Sequence, residues 1–159
     1  MALTLAALSF HAAAAYGQDG AVPPGPADEA ALFSAAGFKQ ADDGWSTCEI
    51  DSTSRAPAWI EQYGDFNADG HADAIVMEGS AICFGNVGTR FVLLTRDATG
   101  AWVQMLQSLG MPRFLDTAGA GGWPDVEIGG PGFCYRIMRW NGTAYTSDRF
   151  EYEGAACTP

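Results

Sequence analysis

The chain has 159 residues, enough for one domain with a real core, and is strongly acidic, with a formal net charge of −11. That balance excludes a nucleic-acid binder, whose phosphate partners demand Lys and Arg, and argues against docking on an anionic membrane surface. The 20 glycines favour turn-rich β structure over a helical bundle.

Residues 2–10 are apolar and Ala12 to Ala15 supply small residues of the kind signal peptidase accepts, so residues 1–15 read as a signal peptide. The run is too short to span a bilayer. No Lys or Arg precedes it, a departure from the usual signal pattern. Residues 16–27, with Pro23, Pro24 and Pro26, read as a flexible leader, which leaves residues 28–159 as a single domain. No later stretch is apolar for long enough to cross a membrane, so the expectation is an exported periplasmic or extracellular protein without membrane insertion.

Asp28 to Ala36 reads as the one helix, with Asp28 as N-cap, an Ala-rich body, and Gly37 at the C-terminal left-handed position. Leu32, Phe33 and Ala36 would face the core. A hairpin follows, from Phe38-Lys39-Gln40 through a turn at Asp42-Asp43-Gly44 into Trp45 to Ile50. Residues 51–58 read as loop.

The stretch Asp65-Phe66-Asn67-Ala68-Asp69-Gly70-His71-Ala72-Asp73 carries the clearest chemistry. Side-chain oxygens fall at loop positions 1, 3, 5 and 9, and Gly70 sits at position 6, where the backbone must turn sharply. A hard cation needs six to eight oxygen ligands at roughly 2.3–2.6 Å, gathered by a tightly curled chain. Asp65, Asn67, Asp69 and Asp73 would supply side chains, and His71 its backbone carbonyl. The competing reading is an Asx-rich turn without metal. An EF-hand needs a bidentate Glu at position 12. Here that position is Val76, inside the apolar run Ala74-Ile75-Val76-Met77, so the loop feeds a strand and not an exiting helix.

With Gly64 before it and that run behind it, the loop resembles the calcium loops of integrin-type FG-GAP repeats and the related VCBS repeats of secreted bacterial proteins. The resemblance covers less than a tenth of the chain. It implies a structural Ca²⁺ held between strands of a β-propeller blade, and no catalysis.

From Asp65 onwards the chain reads as a degenerate internal repeat. Asp73 aligns with Asp125, Cys83 with Cys134, and Trp102 with Tyr145. The first copy runs through a strand, Gly79, a cysteine strand Ala81-Ile82-Cys83-Phe84 and a turn at residues 96–102. The second runs through Val126-Glu127-Ile128, Phe133-Cys134-Tyr135 and the strong hairpin signal Asn141-Gly142. Between Asp116 and Asp125 the second copy lacks oxygen ligands at positions 3 and 5, so one cation is expected and not two. A full propeller takes typically four to eight blades. The chain has room for fewer, so the fold expected is mainly β: a small antiparallel β domain of two blade-like sheets with one N-terminal helix.

Cys48, Cys83, Cys134 and Cys157 are even in number and widely spaced, which favours two disulfides in an oxidising compartment over a zinc site. Three pairings are possible. Cys48–Cys83 with Cys134–Cys157 closes the shorter loops and is favoured on that ground.

Other chemistry is weaker. His71 lies mid-loop, without the neighbours that a nucleophile–base arrangement needs. Glu61, Glu78, Asp125 and Glu127 supply carboxylates for an alternative reading as an envelope hydrolase. Glu78 and Glu127 are expected to face solvent or to assist the cation. Trp59, Trp102, Trp123, Trp140 and Tyr145 lie near turns, where aromatics bind sugars or anchor partners, or else close a small core. Gly129-Gly130-Pro131-Gly132 lacks the Lys-Ser/Thr of a phosphate loop and reads as a tight turn. The functional expectation is an exported, non-enzymatic domain with one structural Ca²⁺ that mediates contact with a protein or glycan partner.

Overall fold

The computed structural model describes residues 24–159, apart from 43, 52 and 53. The expected signal peptide and most of the expected leader therefore lie outside the described residues. The end of that leader does not: helix α1 spans Pro26–Ala35. Its N-cap is Gly25 and Pro26 takes the first helical position, where a fixed φ is already helical and a missing N–H is no loss. Asp28 is thereby freed from the capping role expected of it. Its carboxylate instead accepts hydrogen bonds from Arg96 and from Trp102 Nε1 (3.1 Å). Gly37 ends the helix at φ +83°, with Phe38 N–H bonded to the Phe33 carbonyl at 2.9 Å and Gly37 N–H to Ser34 at 3.0 Å.

A short hairpin follows, β1 (Lys39–Ala41) against β2 (Gly44–Ser46). The rest is antiparallel sheet. Sheet 1 is a meander of β3 (Ala58–Gly64), β4 (Asp73–Gly79), β5 (Thr89–Arg96) and β6 (Trp102–Leu109), hydrogen-bonded in chain order. Sheet 2 repeats that order with β7 (Met111–Ala118), β8 (Pro124–Gly129), β9 (Tyr135–Trp140) and β10 (Tyr145–Tyr152), extended by the two-residue β11 (Ala155–Ala156). The fold is thus mainly β, two four-strand meanders and a helix. Asp73 opens β4 and Asp125 is the second residue of β8, while Trp102 and Tyr145 each open a fourth strand.

Two connections depart from expectation. Ala81–Phe84 is not a strand but one turn of helix, α2, whose Ser80 cap accepts a bond from Cys83 N–H at 3.3 Å. The chain must reverse there between β4 and β5, and Gly85 and Gly88 supply the left-handed positions that make the reversal compact. Cys134 likewise lies in the turn before β9, at φ +69°, and not in the strand.

Side-chain alternation makes sheet 1 the middle layer. Ala74, Val76, Val92, Leu94 and Trp102 point to one face and pack under Leu32, Phe33 and Ala36 of α1, with Phe38 and Trp45 of the hairpin region. Ile75, Met77, Phe91 and Leu93 point to the other and pack against Phe114, Trp123, Val126 and Tyr145 of sheet 2. In register, Ile75 faces Leu93 and Met77 faces Phe91. Sheet 2 turns Val126 and Ile128 towards sheet 1, so Asp125 and Glu127, one residue out of phase, face away.

Both disulfides form as the shorter-loop pairing expects. Cys48–Cys83 spans 35 residues and Cys134–Cys157 spans 23. Two such bonds are compatible with an oxidising, extracytoplasmic setting. Among the described residues no helix is long and apolar enough to cross a membrane.

Closing loops of 35 and 23 residues restricts the unfolded chain by about 3–4 kcal/mol per bond. Replacing Cys48 and Cys83 together by Ser is expected to lower the unfolding free energy by about that amount in urea titration. An unchanged midpoint would show that this bond does not form in solution.

Candidate metal centre

The acidic loop joins β3 to β4, with Gly64 paired to Asp73 at its base. It is curled by its own side chains. Asp65 Oδ1 accepts from Asp69 N–H (3.1 Å) and Oδ2 from Gly70 N–H (2.8 Å). Asn67 Oδ1 accepts from Asp69 N–H at 3.3 Å, and its Nδ2 donates to Asp69 Oδ2 at 3.0 Å. Asp69 Oδ1 accepts from His71 N–H at 2.8 Å. Gly70 takes φ +87°, the conformation that the position-6 glycine was expected to supply. The Asn67 and Asp69 bonds to backbone two residues on are Asx turns, Asp65 closes the wider loop, and each carboxylate oxygen still has a lone pair to offer. Among the described residues no three His, Cys, Asp or Glu side chains form a ready-made metal cluster. The His71 side chain is exposed.

Asp73 differs from the rest. It is fully buried, on the face of β4 that looks towards sheet 2. Its Oδ2 accepts from Phe66 N–H at 2.8 Å, while Oδ1 is buried without a hydrogen-bond partner. Burial pushes the carboxyl up to about 6. The nearby Thr95 hydroxyl and the Phe66 N–H oppose the rise, and the Asp69 and Asp65 carboxylates add to it. Thr95 lies close enough to act electrostatically, yet it leaves Oδ1 without a bond of good geometry. A buried carboxylate short of positive charge, below a loop whose donors are all oxygen, is suited to a hard divalent cation. Asp65, Asn67, Asp69 and Asp73 would hold such an ion by side chains and His71 by its carbonyl.

The matching position of sheet 2 meets the same demand with protein. Asp125 is fully buried too. Arg139 grips it through Nε (2.9 Å to Oδ1) and an Nη (2.7 Å to Oδ2), Arg149 adds a bond of 2.8 Å, and the Thr117 hydroxyl donates to Oδ2. Burial works to raise this carboxyl, but Arg139, Thr117 and Arg149 hold it down at about 2. Neither arginine was singled out from sequence. The signal available was indirect: a buried Asp that has lost its oxygen-rich loop needs a cation from elsewhere, and Arg139 and Arg149 lie on the two strands beyond β8.

The remaining carboxylates correct one expectation. Glu78 and Glu127 neither face solvent nor touch the acidic loop. Glu78 is fully buried and accepts from Ser46 Oγ (2.9 Å), Thr47 N–H (2.6 Å), Thr47 Oγ1 and Cys48 N–H (3.1 Å), with Arg90 at 3.5 Å. It fastens the segment after β2 to the end of β4. Glu127 is forked to Arg113 at 2.9 and 2.8 Å. Glu61 accepts from Trp59 Nε1 at 2.7 Å. Of the aromatics, Trp102, Trp123 and Tyr145 are core residues and Trp59 is exposed. Tyr145 OH donates to the Pro124 carbonyl at 2.9 Å, which ties the fourth strand of sheet 2 to the start of β8.

Compared with models of protein families, with curated proteins and with solved structures, the chain matches none. The site geometry therefore carries the functional argument.

Opposite behaviour is expected of the two buried aspartates. In calcium-free buffer at neutral pH, Asp73→Asn removes an uncompensated buried charge and should raise the thermal midpoint; a lower midpoint would mean that the charge is compensated. Asp125→Asn takes from Arg139 and Arg149 their buried partner, leaving them Asp148 and Glu151, and should cost roughly 2 kcal/mol at pH 7. Because the Asp125 carboxyl is depressed from 3.8 to about 2 in the fold, its contribution is present above pH 4 and fades as pH falls through that window. Acid titration of wild type against Asp125→Asn should therefore converge below pH 2.

Proposed function

We propose that this is an exported, non-enzymatic β domain that holds one structural Ca²⁺ in the Asp65–Asp73 loop and works by contact with a protein or glycan partner. The observation that carries the ion is the buried, unpartnered Asp73 Oδ1 beneath the Asp65 and Asp69 carboxylates. Asp65, Asn67, Asp69 and Asp73 offer hard oxygen donors, the His71 carbonyl adds one more, and solvent water completes the shell. The ion supplies the positive charge that Arg139 and Arg149 supply to Asp125. A structural role is supported by the carboxylates elsewhere: Glu78, Asp125 and Glu127 are each engaged with neighbouring donors that hold strands and loops together. The disulfides and the expected signal peptide support export.

A cation that binds only the folded loop stabilises by about 2.7 kcal/mol at a hundredfold excess over its dissociation constant. The thermal midpoint should rise by about 5–10 °C with calcium relative to EGTA. Asp69→Ala should erase the difference. Equal midpoints for the wild-type chain would overturn the reading.

A further inference from the structure

The acidic loop does more than close the β3–β4 hairpin. Its second residue, Phe66, is turned inwards and 5% exposed, with its ring 4.9 Å from that of Phe114 in β7. Phe66 belongs to the core shared by the two sheets. The Phe66 N–H is the donor to Asp73 Oδ2, so the backbone that carries this ring is fastened to the buried carboxylate. The next residue touches sheet 2 as well. A Cβ built on Gly122 would stand 2.8 Å from the Asn67 carbonyl oxygen, so the loop between β7 and β8 rests directly on the acidic loop. Trp123, beside Gly122, is buried in the same inter-sheet core.

We propose that the Asp65–Asp73 loop is a cation-controlled latch between the two sheets: the ion that binds its oxygens sets Phe66 against Phe114 and the Asn67 backbone against Gly122, so ion binding and sheet docking are a single equilibrium. The inference rests on the calcium reading above. Without the ion, the carboxylates of Asp65, Asp69 and Asp73 repel one another in the segment that positions Phe66. Loosening of that segment uncovers the face formed by Ile75, Met77, Phe91 and Leu93.

Coupling is reciprocal: if calcium favours docking, docking favours calcium, so a change that depopulates the docked state from the sheet 2 side weakens calcium affinity. Phe114 is not among the candidate ligands, which makes it the informative site. Phe114→Ala in the full chain is expected to raise the calcium dissociation constant, read by titration calorimetry, by about tenfold or more. Gly122→Ala, pressing on the Asn67 carbonyl, is expected to act in the same direction. Ile137→Val, on the outer face of sheet 2, should leave the constant within about twofold. Phe114→Ala that lowers the thermal midpoint while calcium binds as in wild type would overturn the latch and leave the ion serving the β3–β4 hairpin alone. Where Phe114→Ala fails to fold, Phe114→Leu and Gly122→Ala decide by the same measurement. A wild-type chain that binds no calcium at millimolar concentration overturns the calcium reading itself, and the latch with it.

Discussion

The molecule is organised around a carboxylate buried at the head of the second strand in each sheet. A buried charge without a partner costs several kcal/mol, so each must be neutralised or compensated. Asp125 has two arginines and a hydroxyl, while Asp73 has one backbone N–H, the Thr95 hydroxyl nearby and no cationic partner among the described residues, with Oδ1 left without a hydrogen bond. The difference follows from where the two faces point. Asp125 faces outwards, where long guanidinium side chains reach it from β9 and β10 and keep their edges in water. Asp73 faces the neighbouring sheet. Packed sheets stand roughly 10 Å apart, and that space is already filled by Phe66, Tyr145 and Trp123. That packing leaves no room for an arginine beside Asp73.

The same stacking explains how two small sheets make a complete core. The inner faces pack on one another, and each outer face needs a cover. Sheet 1 is covered by α1 and the β1–β2 hairpin, with Leu32, Phe33, Ala36 and Phe38 laid on Val76, Val92 and Leu94. Sheet 2 is covered by charge: Arg113, Arg139 and Arg149 interlock with Asp125, Glu127, Asp148 and Glu151. The two ends of the strands differ in kind as well. Both disulfides sit where second strands pass into third strands, and the acidic loop and the 119–123 loop sit at the opposite end. One end is tied covalently, and at the other Phe66 packs on Phe114 and the Asn67 backbone on Gly122.

Much of this was legible in the chain. The apolar run behind Asp73, the glycine-rich turns and Asn141-Gly142 announced an antiparallel β domain. The alignment of Asp73 with Asp125, Cys83 with Cys134 and Trp102 with Tyr145 matches equivalent points of the two sheets, because turn chemistry and first-strand positions are local properties. The misreadings have a common cause. Ala81–Phe84 is apolar and resembles a strand, but a β4–β5 reversal and a Ser80 cap make it helical. Asp28 looks like a cap until Arg96 and Trp102, far along the chain, claim its carboxylate. Glu78 and Glu127 look solvent-facing until Thr47 and Arg113 fold onto them.

The sequence by itself determined the strand-and-turn grammar and the single oxygen-rich loop, since each depends on residues close in the chain; it favoured the shorter-loop cysteine pairing, which the structure then fixed. Only the tertiary structure decided which carboxylates are buried and what faces them. Charge compensation is a property of through-space neighbours, and Arg139, Arg149 and Thr95 reach Asp125 and Asp73 only after the strands have paired and the sheets have stacked.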